Sequence, residues 1–250
     1  MKELAIAFLQ EQVLGKYMKK YRTSYAYPVI TGGTGVSRCT DNISVSDIDI
    51  VFAITETNPS KQLVEKVSQE RYAFLKEIME DESFKVFTKG HRLTLKETYK
   101  VHPEYRVSRI KLVRLKLDND VILDTSVKHS NNVRIWDVYP LYINKPDLKN
   151  PIPYFTKNGV FYCTCQYALF DTLRLILFYE YHRNVPQLKK YIFKYASLAK
   201  LKVSKSAEVK DLLAILRSNP KFVKSEKKLR LLLPNFYMES IKDQNSSDNV

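Results

Sequence analysis

Asp47 and Asp49, in Ser46-Asp47-Ile48-Asp49-Ile50-Val51-Phe52, are two carboxylates one residue apart in an apolar, β-branched run. In a strand, alternate side chains share a face, so both acids point one way while Ile48 and Ile50 point into a core. Held roughly 7 Å apart on that face, they repel each other unless a cation lies between them. A divalent metal is the cation this arrangement suits. Upstream, Tyr27-Pro28-Val29-Ile30-Thr31 reads as a short strand running into Gly32-Gly33-Thr34. Glycine lets backbone N–H groups come close to a phosphate, so this turn is a candidate phosphate cradle. A phosphate-holding turn followed by a strand of paired aspartates points to metal-assisted nucleotidyl transfer.

A two-metal site needs another acid. Asp124 stands alone in Val121-Ile122-Leu123-Asp124-Thr125-Ser126-Val127, where a mid-strand aspartate is disfavoured by propensity and by burial. If this strand lies beside that of Asp47 and Asp49, the three carboxylates can hold two metals ~3.5–4 Å apart, Mg²⁺ or Mn²⁺. Asp124 would then be a metal ligand and a candidate general base for an incoming hydroxyl. Each feature has a plainer reading: a strand end, an ordinary turn, or Asp124 ion-paired with Lys116 or Arg114 across its hairpin. Their co-occurrence in this order favours the metal site. Arg109, Lys111, Arg114 and Lys116 add cations that can meet a phosphate backbone.

The elements that must position these residues follow from periodicity and turn chemistry. Residues 3–21 read as an amphipathic helix ending in cations that suit its C-terminal dipole. The strand with the paired acids is expected over 45–54. Asn58-Pro59-Ser60 begins a helix whose inner stripe is Leu63, Val64, Val67, Tyr72, Phe74, Leu75, Ile78 and Met79. Residues 84–101 are expected to be β-rich, with Phe84–Phe87 and Arg92–Leu95 as strands. Val107–Leu117 and Val121–Val127 form a hairpin around Asp118-Asn119-Asp120. A proline-punctuated linker covers 138–156, and helices are expected over 167–181, 186–201 and 206–218. The organisation predicted is an α+β catalytic domain over 1–150, a helical domain over 151–240 closing a cleft, and a disordered tail over 241–250.

The 250 residues carry 41 basic and 27 acidic side chains, a net charge of +14 that favours a polyanionic partner. No apolar run approaches the ~18 residues of a membrane helix, and Gln10-Glu11-Gln12 interrupts the apolar start that would otherwise resemble a signal peptide. Cys39, Cys163 and Cys165 are an odd set without disulfide-framework or zinc spacing, which fits a reducing, intracellular compartment.

Gly32-Gly33 followed by Asp47-Ile48-Asp49-Ile50, then a hairpin strand with the single Asp124, resembles the DNA polymerase β-like nucleotidyltransferase superfamily. Arg109–Ser126, with Gln166–Arg174 and Lys189–Tyr195, is similar to the poly(A) polymerase catalytic subunits of large cytoplasmic DNA viruses. The resemblance implies a polymerase β-like palm with a mixed or antiparallel sheet, followed by a helical domain. It assigns the metal-binding and catalytic carboxylates to Asp47, Asp49 and Asp124, and the phosphate turn to Gly32, Gly33 and Thr34. It makes Arg174, Lys190 and Lys194 candidates for the nucleotide triphosphate, and Tyr195 a candidate for stacking on a base. The implied activity is addition of AMP from ATP to an RNA 3′ end in messenger RNA processing, in the cytoplasm or a virion. Gly33-Thr34 stands where the superfamily has Gly-Ser. The viral enzymes are longer, which implies either a minimal enzyme or a partner protein subunit. The alternatives are transfer to a non-RNA acceptor and a non-catalytic RNA-binding subunit.

Overall fold

The computed structural model describes residues 1–40, 43, 45–56, 59–100, 110–128, 152–181 and 185–198. The chain divides into two compact units, Met1–Arg38 with Ser44–Thr164, and Cys39–Ile43 with Cys165–Val250. The first is α+β, the class expected. It opens with α1 (Lys2–Phe8), a π-helical turn (Leu9–Val13) and α2 (Leu14–Lys20), which together occupy the expected first helix. β1 (Ala26–Thr31), α3 (Gly32–Ser37), β2 (Ile48–Ile54), α4 (Lys61–Glu80), α5 (Glu82–Phe87), β3 (Leu93–Lys100), β4 (Ile110–Leu117), β5 (Asp120–Lys128), β6 (Tyr154–Lys157) and β7 (Val160–Cys163) follow.

The seven strands form one mixed sheet in the order β3-β4-β5-β2-β1-β7-β6. β2 runs parallel to β5 and β1 parallel to β7, while the remaining neighbours are antiparallel. Ile48, Ile50, Phe52, Val113, Leu115 and Leu123 are buried in a core shared with Leu9, Leu14, Val67, Phe74 and Ile78 of the helices. Along β4 and β5 every second residue is half-exposed, so Arg114, Lys116, Asp124, Ser126 and Lys128 face away from that core.

α4 begins where expected, with Ser60 Oγ accepting from the Leu63 N–H at 3.1 Å. Tyr72, expected on the inner stripe, is 40% exposed, and the buried position is Arg71 instead. Phe84–Phe87, expected as a strand, is helical. The Asp81 carboxylate accepts from the Ser83 and Phe84 N–H groups at 3.1 and 3.2 Å, and this N-cap commits the segment to α5. Asp81 also accepts from Tyr17 Oη at 2.8 Å, tying α2 to the α4–α5 junction. Burial alone would raise its pKa. The bonds from Ser83, Tyr17, the Phe84 N–H and Lys16 outweigh that and hold it at about 2, below the ordinary 3.8. Because the folded value is depressed, Asp81 contributes stability above the ordinary value, and that contribution disappears as pH falls toward 2. Asp81→Ala is therefore expected to cost about 1–2 kcal/mol near neutral pH, chiefly as a lost cap. Urea melts from pH 7 to 2 should show wild type and variant converging below pH 4; parallel curves would contradict this.

β6 and β7, absent from the sequence expectation, form a hairpin on Asn158-Gly159, both at positive φ (53° and 76°). That pair of left-handed residues is the signal of a tight hairpin turn. Because this hairpin extends the sheet, the first compact unit ends at Thr164, beyond the seam expected near residue 150. The helix expected over 206–218, the segment 138–151 of the linker and the tail over 241–250 lie outside the described residues.

The second unit contains α6 (Cys165–Tyr181) and α7 (Val185–Leu198), the two helices expected there, with Tyr179 and Tyr191 stacked at 5.4 Å between ring centres. Cys39 and Cys165 are joined as a disulfide with their Cα atoms 5.5 Å apart, contrary to the unpaired, reduced cysteines expected. The partners are 126 residues apart in sequence, so spacing gives no sign of the pairing, which only the tertiary fold creates. No helix among the described residues is long and apolar enough to cross a membrane.

Candidate metal and nucleotide site

The sheet register brings the sequence-predicted carboxylates together. Asp49 on β2 lies opposite Asp124 on the parallel neighbour β5, and Asp47 immediately precedes β2. One carboxylate oxygen from each of Asp47, Asp49 and Asp124 lies within 4.8 Å of the others, and all three residues are half-buried. The parallel pairing of β2 with β5 makes this possible, since it joins residues some seventy-five positions apart through backbone hydrogen bonds. Three anions this close repel one another in a partly dry setting, and that repulsion is relieved by a cation. Hard carboxylate oxygens clustered in this way fit Mg²⁺ or Mn²⁺.

The glycine turn packs directly on this cluster. β1 ends at Thr31, opposite Asp49, and the chain enters α3 through Gly32 at φ +60°. A Cβ at Gly32 would sit 1.9 Å from Asp49 Oδ2, so the carboxylate occupies the space a side chain would fill. Gly32 and Gly33 are half-exposed, whereas Thr34 is fully buried. The Thr34 hydroxyl donates to the Asp47 backbone carbonyl at 2.8 Å. It fixes the turn to the acid-bearing segment, a role its place in a phosphate cradle would not suggest. Ser46 Oγ donates to Asp47 Oδ1 at 2.7 Å.

Two arginines set the electrostatics of Asp124. Arg114, directly opposite on β4, donates from Nε to Asp124 Oδ2 at 3.2 Å. Arg71 of α4 is buried to 1% exposure on the core side, where Nη1 donates to the Thr125 carbonyl at 3.5 Å. Burial lowers its guanidinium to about 10, against the opposing pull of Glu97 and Asp124, so it stays charged at neutral pH. The sequence held a signal for Arg71, since it lies four residues after Val67 and three before Phe74 on the helix's buried stripe. An arginine on such a stripe must find a carbonyl or a carboxylate inside.

The contact between Arg114 and Asp124 opposes cation binding, because a guanidinium beside the cluster repels a divalent ion. Arg114→Met is expected to tighten Mn²⁺ binding about tenfold, equivalent to ~1.4 kcal/mol. It should also enlarge the metal-induced rise in melting temperature. Calorimetric Mn²⁺ titration reads this directly, and weaker binding by the variant would overturn it.

The remaining sequence candidates lie in the second unit. Arg174 falls on α6, while Lys190 and Lys194 fall on α7. Lys190 is exposed. Lys194 is 6% exposed with its ammonium 5.0 Å from the centre of the Tyr191 ring, and Tyr195 is buried. Arg109 lies outside the described residues.

No family model matches the sequence, and no curated protein is significantly similar to it. Solved structures do match. The chain is similar to solved nucleotidyltransferase structures. The Megavirus polyadenylate synthase matches at 13% identity and TM-score 0.44, over 80% of this chain and 33% of its own. A nucleotidyltransferase-like antigenic protein from Paracoccidioides brasiliensis matches at 14% identity and TM-score 0.41, over 87% of this chain and 91% of its own. Terminal uridylyl transferase 4 from Trypanosoma brucei, solved with dUTP, matches at 14% identity and TM-score 0.29, over 72% of this chain and 50% of its own. This chain thus spans about a third of the Megavirus protein's length.

Proposed function

We propose that this protein is a metal-dependent nucleotidyltransferase that adds nucleotides, AMP from ATP foremost, to an RNA 3′ end. The observation that carries the reading is the meeting of Asp47, Asp49 and Asp124 within 4.8 Å beside the Gly32 turn. Asp47, Asp49 and Asp124 would hold Mg²⁺ or Mn²⁺, which supplies Lewis-acid polarisation and charge neutralisation when bound. Asp124 is also placed to accept the proton of an incoming hydroxyl, and the bond from Arg114 Nε to its Oδ2 holds the carboxylate in position. The N–H groups that open α3 at Gly32 and Gly33 would meet phosphate oxygens, while the side-chain space at Gly32 is taken by Asp49. The excess of 41 basic over 27 acidic residues supports a polyanionic acceptor over a neutral one. An intracellular setting and a partner subunit belong to the same reading.

The test is incorporation of labelled ATP with Mg²⁺ or Mn²⁺ and a short oligo(A) primer, with an Asp47→Ala/Asp49→Ala protein alongside. Primer extension by the wild type alone is the expected result. Labelled product without primer extension would move the reading to another acceptor, and equal incorporation by both proteins would end it.

A further inference from the structure

The same sheet face carries a second feature beyond the carboxylates. Reading across the register, Thr31, Asp49, Asp124, Arg114 and Lys96 form one lateral row over β1, β2, β5, β4 and β3. The row runs from carboxylates at the centre to cations toward the β3 side. There, Arg92, Lys96 and Lys116 line an open groove of about 480 Å³ with Thr94, Asp118 and Asn119. With neighbouring strands ~4.8 Å apart, Lys96 on β3 is about 10 Å from Asp124 across the sheet.

Some of the described surface cations are neutralised by a neighbouring acid, whereas others, Lys19, Lys61, Lys89 and Lys157 among them, are not. Lys16 pairs with Asp81, Lys20 with Glu77, Lys76 with Glu80, and Lys85 with Glu82. Among the described residues, the side chains of Arg92, Lys96 and Lys116 form no ion pair. The one acid in the groove, Asp118, is occupied by His91 Nδ1 at 2.7 Å and the Arg92 backbone N–H at 2.9 Å. Protection of a sheet edge would explain a lysine on β3, which ends the sheet, but Lys116 lies on β4, one strand further in. Three unneutralised cations around one groove, in line with a carboxylate cluster, describe a track for a chain of phosphates.

We propose that this groove binds the phosphate backbone of a single-stranded nucleic-acid acceptor, leading its 3′ end along the sheet face toward Asp124. The proposal deepens the nucleotidyltransferase reading and rests on it for the identity of the strand. Its readout, equilibrium binding in EDTA, does not depend on catalysis. Fluorescence anisotropy of a labelled oligo(A) 20-mer is measured against salt for the wild type and for Arg92→Gln/Lys96→Gln/Lys116→Gln. Single strands lose about 0.7 in the slope of log K against log salt for each phosphate contact removed. The triple variant should therefore lose about 2 from its slope and bind at least about tenfold more weakly at low salt. Lys76→Gln/Lys85→Gln, which removes two cations outside the groove, tests bulk charge and should change neither quantity appreciably. Matched melting temperatures establish that all three proteins are folded. An unchanged slope in the triple variant overturns the proposal, as does equal weakening by the control. Polyglutamate competing as well as unlabelled oligo(A) at equal charge also overturns it, in favour of an acidic protein partner. If binding behaves as expected while the Asp47→Ala/Asp49→Ala protein incorporates nucleotide like wild type, the groove stands and the nucleotidyl-transfer reading fails.

Discussion

Asp124→Asn is expected to lower nucleotide incorporation at least about a thousandfold, while Asp47→Asn does the same and makes the metal-free protein more stable. The activity loss follows from removing one of three carboxylates that hold the charge of the site. About 4 kcal/mol of transition-state stabilisation corresponds to three decades of rate, and a metal site supplies several kcal/mol. The stability gain has the opposite origin. Without a cation, the carboxylate oxygens of Asp47, Asp49 and Asp124 crowd within 4.8 Å, so neutralising one of them relieves repulsion. Asp47 suits this measurement because asparagine retains an oxygen for the bond from Ser46 Oγ, and among the described residues no ion pair depends on it. A gain of about 1 kcal/mol, or roughly 2–4 °C in melting temperature, is expected in EDTA, and it should reverse in millimolar Mn²⁺. A structural acid would behave otherwise, losing stability in both conditions. Calorimetric scans with and without metal, set beside incorporation assays, distinguish the two; an Asp47→Asn protein destabilised in EDTA would count against the metal site.

The carboxylates were legible from sequence because each violates its local pattern. An aspartate in or beside β-branched strands such as Ile48–Ile54 or Asp120–Lys128 is disfavoured by strand propensity, so its position suggests chemistry, although Arg114 also gives Asp124 a structural partner across the hairpin. Their meeting was only conditional, since it requires β2 and β5 to be parallel neighbours, and strand order is not written in local periodicity. Phe84–Phe87 shows the reverse case. Its apolar, aromatic composition reads as strand, yet the Asp81 cap and its bond from Tyr17 settle the segment as helix. The β6–β7 hairpin carried a plain Asn158-Gly159 signal that the surrounding prolines obscured. The Cys39–Cys165 bond and the unpaired groove cations are tertiary facts, set by which distant segments become neighbours.

Gly32→Ala is expected to impair the site nearly as severely as loss of an acid, through geometry alone. At φ +60° an alanine carries a backbone penalty of about 1–2 kcal/mol. Its Cβ would also stand 1.9 Å from Asp49 Oδ2 and 2.7 Å from Asp49 Cγ, so the carboxylate must move by more than an ångström. A displacement of that size costs about a hundredfold in rate where reacting groups are held in register. Mn²⁺ binding should weaken with it, since Asp49 leaves the cluster. Gly90 provides the matched control. It too has positive φ, +88°, but an added Cβ there meets nothing within 4 Å. Gly90→Ala should therefore lower the melting temperature by a similar few degrees without changing Mn²⁺ affinity or incorporation. Comparing the two variants separates backbone strain from collision with Asp49. Equal losses of metal affinity in both would attribute the effect to strain, whereas loss confined to Gly32→Ala locates it at the contact between turn and carboxylate. The absence of a side chain at residue 32 would then be as much a part of the site as the three acids, because it is the space in which Asp49 stands.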